Sequence, residues 1–138
     1  MEEKYQGDLP YPEIKIQRPN QVYGAMMLDN IGGENSEMSA IGLYFYDHLV
    51  TREVENISKA FHRISIVEMR HLEIFSELAE LLGQDPRLWT KKENRTCYWT
   101  PEYLRYDQEI GAMLRHAIQE EKEAIAKYAY QAVSYTHL

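Results

Sequence analysis

The 138-residue chain is long enough for one domain with a real core, and its 44% hydrophobic fraction excludes a disordered polymer. A formal charge of -7 sets its field against nucleic acid and anionic membranes, so neither is an expected partner. The single cysteine, Cys97, leaves no intrachain disulfide and no Cys-x-x-Cys metal knuckle.

In chain order, the start "MEEKYQGD" is acidic and unlike an ordinary signal peptide. No apolar run reaches the roughly 18 residues of a membrane span, so a soluble, cytoplasmic protein is expected. Pro10, Pro12 and Pro19 make residues 1–19 an extended arm. Asn20 then reads as an N-cap, and periodic apolar residues continue to about Leu49. Gly32-Gly33 interrupts them; the expectation is one long helix whose glycines permit close helix packing. A second helix is predicted from about Val54 to Leu82, ending at Gly83, a good left-handed cap. Residues 84–106 mix proline, aromatics and charges without a sustained period. They read as a long connection crossing a bundle from end to end, with a short turn capped at Thr100-Pro101 and no strands. A third helix is predicted over about Asp107 to Val133. The tail "VSYTHL" abandons that composition, and residues 134–138 read as non-native read-through.

Rotation at about 100° per residue isolates the unusual side chains. With Glu68 at zero, Phe61, Ile64, His71, Leu72, Phe75, Ala79 and Leu82 fall within about 60°, so a carboxylate and an imidazole lie on the apolar stripe. Burying an ionised carboxylate without a partner costs several kcal/mol, so a compensating charge is required. The chain supplies further carboxylates instead. Glu37-x-x-Ala40-Ile41-x-x-Tyr44 matches Glu121-x-x-Ala124-Ile125-x-x-Tyr128, an internal repeat. On each helix the glutamate is centred on an apolar arc, and Glu120 and Glu123 fall toward the wetter side. Repulsion among three inward glutamates is relieved by protonation or by shared cations, and at least one should have a raised pKa. Carboxylates plus an imidazole suit iron or manganese, and also zinc.

His62 and His116 fall on polar faces and are expected at the surface. His48 lies on the Glu37 face but about 16 Å along the helix, too far to share a site. Tyr44 and Tyr128 fit two roles equally, as hydrogen-bond donors to ligand carboxylates or as core aromatics.

Glu37, Glu68 with His71, Glu121 and the flanking Ala-Ile-x-x-Tyr pattern together resemble the rubrerythrin and ferritin-like di-metal carboxylate superfamily, over roughly residues 20–133. The resemblance implies an all-α fold: a ferritin-like antiparallel four-helix bundle with a long crossover connection, of which this chain supplies three helices. It implies a dinuclear iron or manganese site with Glu37, Glu68, His71 and Glu121 as metal ligands, and no further catalytic side chain. Peroxide reduction or detoxification, or iron oxidation, is the implied chemistry, with a homo-oligomer and an external electron-donor protein as partners. Iron storage and a non-catalytic helical assembly protein are the alternatives. Two departures stand out: the family's cysteine-rich electron-transfer domain is absent, and the fourth helix with its second Glu-x-x-His has no counterpart before residue 138. The 138-residue chain by itself is therefore expected to be inactive, while enzymatic oxidoreductase activity is expected of an intact family member.

Overall fold

A computed structural model describes residues 13–136. Helix α1 spans Gln21–Gly32, α2 Glu37–Val50, α3 Glu55–Leu81 and α4 Ile110–Thr136. Between α3 and α4 lie strands β1, Trp89–Lys92, and β2, Arg95–Tyr98, and a short 3-10 helix, Pro101–Tyr103. Among the described residues, no helix is long and apolar enough to cross a membrane.

The expected single first helix is two helices. Asn20 caps α1 as anticipated, its side chain accepting from the Tyr23 N–H. The break follows Gly32, where Gly33 turns extended at φ -77° and ψ 178°, its N–H still bonded to the Asp29 carbonyl. Ser36 then opens α2, its hydroxyl accepting from the Ser39 N–H at 3.3 Å. A serine cap satisfies one of the unpaired N–H groups that every helix start presents, so the chain restarts a helix here rather than continuing one. Gly32 does permit a close approach, but to a strand: a Cβ there would collide with the Leu88 and Trp89 backbone.

That strand belongs to a hairpin the sequence reading did not anticipate. β1 and β2 pair antiparallel from Trp89↔Tyr98 to Lys92↔Arg95. Glu93 and Asn94 occupy the turn with φ of 50° and 64°. Two positive-φ residues form the turn whose twist matches two-residue hairpins, and asparagine tolerates that region well. Trp89 packs against Tyr98 with tilted rings, and buried Thr90 donates to Asp29 Oδ1 at 3.1 Å.

Helix α3 runs beside both halves of the broken rod. Its end packs Ala79 and Leu82 against Met27, Leu28 and Ile31 of α1. Its start packs Phe61 against Tyr44 of α2 and Met113 and Ala117 of α4. Gly83, at φ 98°, caps it in the left-handed region. The connection then follows the rod along its length: Gln84 bonds Gln21, Trp99 Nε1 donates to Ser39, and Tyr106 meets Tyr46 edge-on at 5.0 Å. Thr100 caps the short helix at Pro101, as read from the sequence. α4 begins at Ile110 and continues to Thr136, three residues past the expected Val133. It is tied to α1 by a reciprocal buried pair of amides, Asn30 and Gln131, at 2.8 and 2.7 Å. The assembly is a helical bundle with a long crossover. Of the N-terminal arm, residues 1–12 lie outside the described residues, as do residues 137–138 of the tail.

Candidate metal centre

Each element delivers its side chain for a local reason. The Ser36 cap makes Glu37 the first residue of α2, and a negative charge is favoured there by the helix dipole and the unpaired N–H groups. Glu37 is 4% exposed and Glu68, on the apolar stripe of α3, is 8% exposed. His71 sits one turn beyond Glu68 and is half-buried. Its Nδ1 is 3.1 Å from Glu68 Oε2 and 3.8 Å from Glu37 Oε2. One donor atom from each of the three lies within 4.8 Å of the others, a spacing that a single divalent cation could span. Two carboxylates and an imidazole are a donor set suited to manganese, iron or zinc.

Glu121 lines the same cavity of about 120 Å³, with Glu37, Glu68 and His71. It stands apart from the tight trio, and its residue is exposed where the other two glutamates are buried. Glu120, expected on the wetter side, also lines the cavity and is more covered than Glu121. Rotation on α4 gave the direction of each side chain but not what stood opposite, and one flank of the cavity beside Glu121 is open.

The two repeat tyrosines bridge the repeats. Tyr128 on α4 donates to Glu37 Oε1 on α2 at 2.5 Å, and Tyr44 on α2 donates to Glu121 Oε1 on α4 at 3.0 Å. Both donate to the candidate ligands, and Tyr44 is at the same time a core aromatic packed against Phe61. Burial and the neighbouring carboxylates push both phenols far up, so both stay protonated and can only donate through their O–H.

Without a metal the trio is held together by protons. Burial, then the bond and charge of Glu37, push the Glu68 carboxyl up to about 7 against the pull of His71. Burial works the same way on Glu37, but hydrogen bonds from His71, Glu68 and Tyr128 outweigh it and leave its pKa lowered. Bonds to Glu37 and then Glu68 raise His71 to about 10 despite its burial. Near neutral pH the site therefore holds an imidazolium, one carboxylate and a partly protonated second carboxyl. Glu68 is thus an inward glutamate with a raised pKa, as expected, with burial ahead of the neighbouring Glu37 as the cause.

Among the described residues, the other histidines lie elsewhere. His48 bonds Ser58 and stacks on exposed His62 at 4.6 Å between ring centres. His116, expected at the surface, is half-buried instead, with Nδ1 2.6 Å from Asp107 Oδ2 and Nε2 beside Arg105. Asp47 was not anticipated at all. It is fully buried on α2, and neither carboxyl oxygen has a hydrogen-bond partner. Burial, with Asp107 and Glu120 nearby, pushes its pKa up to about 7 against the opposing effect of His116.

Comparison with known proteins agrees with this architecture. No curated protein matches the sequence. Two crystal structures of KatB, a manganese catalase from Anabaena, superpose with a TM-score of 0.79 at 22% identity. Each alignment covers 93% of this chain and 65% of the catalase chain, so the chain spans about 65% of that protein's length. At that identity the likeness establishes the ferritin-like helical fold. The family evidence is in the sequence itself, which matches the rubrerythrin family over residues 32–137, from the end of α1 through α4. By that match, the chain belongs to the rubrerythrin family.

Proposed function

We propose that the chain holds a dinuclear manganese or iron centre on Glu37, Glu68, His71 and Glu121, and that it consumes peroxide there, in the cytoplasm. The observation that carries this reading is the trio of buried Glu37, buried Glu68 and half-buried His71, whose donor atoms converge within 4.8 Å. Two buried carboxylates with one imidazole fit manganese or iron, and membership of the rubrerythrin family supports the same choice. Such ions, when bound, supply the redox chemistry that no side chain here offers.

The chain's own groups hold and orient. Glu37 and Glu68 would bind through carboxylate oxygens and His71 through a ring nitrogen, with Glu121 added from α4. Tyr128 and Tyr44, fixed as donors, keep the Glu37 and Glu121 carboxylates turned toward the cavity. Reduction of peroxide takes two electrons per molecule from a separate donor protein, whereas disproportionation takes them from a second peroxide. Two structures similar to this fold are of a manganese catalase, which supports testing the donor-free reaction first.

The test is metal analysis of freshly purified protein, followed by peroxide consumption with and without an added electron donor. Bound manganese or iron together with peroxide loss supports the proposal. Protein that takes up excess Fe(II) without consuming peroxide points to iron storage, and protein without affinity for either metal contradicts it.

A further inference from the structure

The hairpin in the crossover is a basic island on an acidic molecule. Residues 87–99 carry Arg87, Lys91, Lys92 and Arg95 against Glu93 alone, a local charge of +3 in a chain of -7. All five of these residues are exposed. Arg87 pairs with Asp85, whereas Lys91, Lys92 and Arg95 enter no ion pair among the described residues. Apolar surface lies among the charges, with Leu88 39% and Tyr98 58% exposed. Arg87 and Lys91 sit over the Trp89 ring at 4.9 and 5.7 Å. The platform is firmly seated, since the backbone of Leu88 and Trp89 lies where a Cβ on Gly32 would be. It is also tied to the candidate metal centre. Trp99, the residue after β2, donates from Nε1 to Ser39 Oγ at 3.0 Å, and Ser39 lies two residues beyond Glu37 in the first turn of α2.

We propose that this hairpin is the docking face for a small acidic protein that carries one electron at a time, and that electrons enter toward the metal centre through Trp99. The proposal rests on the peroxide-consuming reading and selects its donor-dependent branch. An acidic partner is repelled by the net charge of -7 and attracted by the hairpin, so the same field that opposes contact elsewhere orients it here. A small apolar centre rimmed by charge suits a brief encounter, because electron-transfer interfaces lie at the small end of the size range. Nucleic acid fits less well, since phosphate backbones call for a longer basic stripe and the flanking acidic surface would repel them. The route inward is mostly covalent. From exposed Tyr98 it passes to Trp99, crosses one hydrogen bond to Ser39, and follows the α2 backbone to Glu37. For each peroxide, two carriers are oxidised by one electron each, the O–O bond breaks, and two protons from solvent complete two waters.

The probe is an acidic plant-type [2Fe–2S] ferredoxin, titrated calorimetrically into the purified full chain at low ionic strength. Docking depends on surface charge, so this arm is decided whether or not the metal reading holds. The parent is expected to bind, more weakly as salt rises. Lys91→Glu combined with Arg95→Glu is expected to bind at least about tenfold more weakly, with circular dichroism confirming that the variant keeps its helices. Delivery is read by anaerobic stopped-flow oxidation of the reduced ferredoxin by metal-loaded protein and peroxide. The double reversal should slow it at low salt and approach the parent rate at high salt. Trp99→Phe leaves every basic residue in place, so it should bind ferredoxin like the parent yet oxidise it several-fold more slowly at saturation. A parent that does not bind ferredoxin, a folded double reversal that binds it equally, a short DNA duplex that binds more tightly than ferredoxin, or a Trp99→Phe variant with the parent's oxidation rate would each overturn the proposal.

Discussion

Tyr128 on α4 donates its phenolic hydrogen to Glu37, 91 residues earlier in the chain and at the start of α2. Tyr44 on α2 returns the same contact to Glu121 on α4. The repeat read in the sequence is thus a reciprocal pair of tyrosine–glutamate contacts across one cavity. Their environments differ, however: Glu37 is 4% exposed, whereas Glu121 is an exposed residue.

That difference ranks two substitutions. A buried carboxylate that loses its donor has no water to replace it, while an exposed one does. Tyr128→Phe is therefore expected to weaken Mn(II) or Fe(II) binding by about 10- to 100-fold, the range for partners that orient metal ligands. Tyr44→Phe should weaken it less. Calorimetric titration of both variants checks the order, and equal losses would mean that the tyrosines act only as packing.

Metal binding should depend steeply on pH. His71, raised to about 10 by Glu37 and Glu68, and Glu68, raised to about 7 chiefly by burial, both carry protons that a cation must displace. Affinity should therefore rise as pH increases from 6 to 8, by up to about tenfold per unit for each proton released. Titrations in buffers of different ionisation enthalpy count those protons directly. Binding without proton release would mean that the metal uses other ligands.

Asp47 offers a stability prediction away from the metal ligands. Its folded pKa, pushed up to about 7 by burial and by Asp107 and Glu120, exceeds the ordinary carboxylate value of about 3.9. A raised folded pKa means that the fold binds this proton more tightly than the unfolded chain does. The associated stability is fully present below about pH 3.9 and is lost as pH rises through about 7. Asp47→Asn should therefore be more stable than the parent above neutral pH, by on the order of 1 to 3 kcal/mol. Its advantage should shrink on acidification. Urea melts from pH 5 to pH 8 measure it, and a pH-independent difference would contradict the assignment.

What could be read from residue order depended on whether the signal was local. Asn20, Gly83 and Thr100-Pro101 act within their own turns, and each caps the element expected of it. Glu68 and His71 were legible because α3 is a long, uninterrupted helix with a clear apolar stripe. The break before α2 was not read, because the glycine pair suggested packing while the informative residue was Ser36, a cap three residues later. The hairpin was hidden because Glu93-Asn94 lacks the glycine that usually marks such turns. Asp47 falls about 80° from Glu37 on the helix, beyond the arc searched. The exposure of Glu121 depends on what stands across from α4, which rotation about a single helix does not reveal.

Gly32 gives a test of how the hairpin is seated. A Cβ there would meet the backbone of Leu88 and Trp89, which cannot move aside without displacing β1. At Gly42 the nearest atom is the end of the Leu104 side chain, at 2.8 Å, which can rotate. Gly32→Ala is expected to destabilise by about 1 to 3 kcal/mol, as overpacking does, and Gly42→Ala by less. Thermal melts, with tryptophan fluorescence reporting on Trp89, check the order.

The central claim is that the trio of Glu37, Glu68 and His71 is a metal site, and titration of Mn(II) into the chelator-treated protein tests it most directly. Glu68→Ala is compared with Glu73→Ala, since Glu68 is buried among the ligands while Glu73 is exposed on the opposite face of the same helix. The account predicts saturable binding by the parent, unchanged by Glu73→Ala and weakened at least about tenfold by Glu68→Ala. Equal Mn(II) affinity in the parent and Glu68→Ala would contradict it.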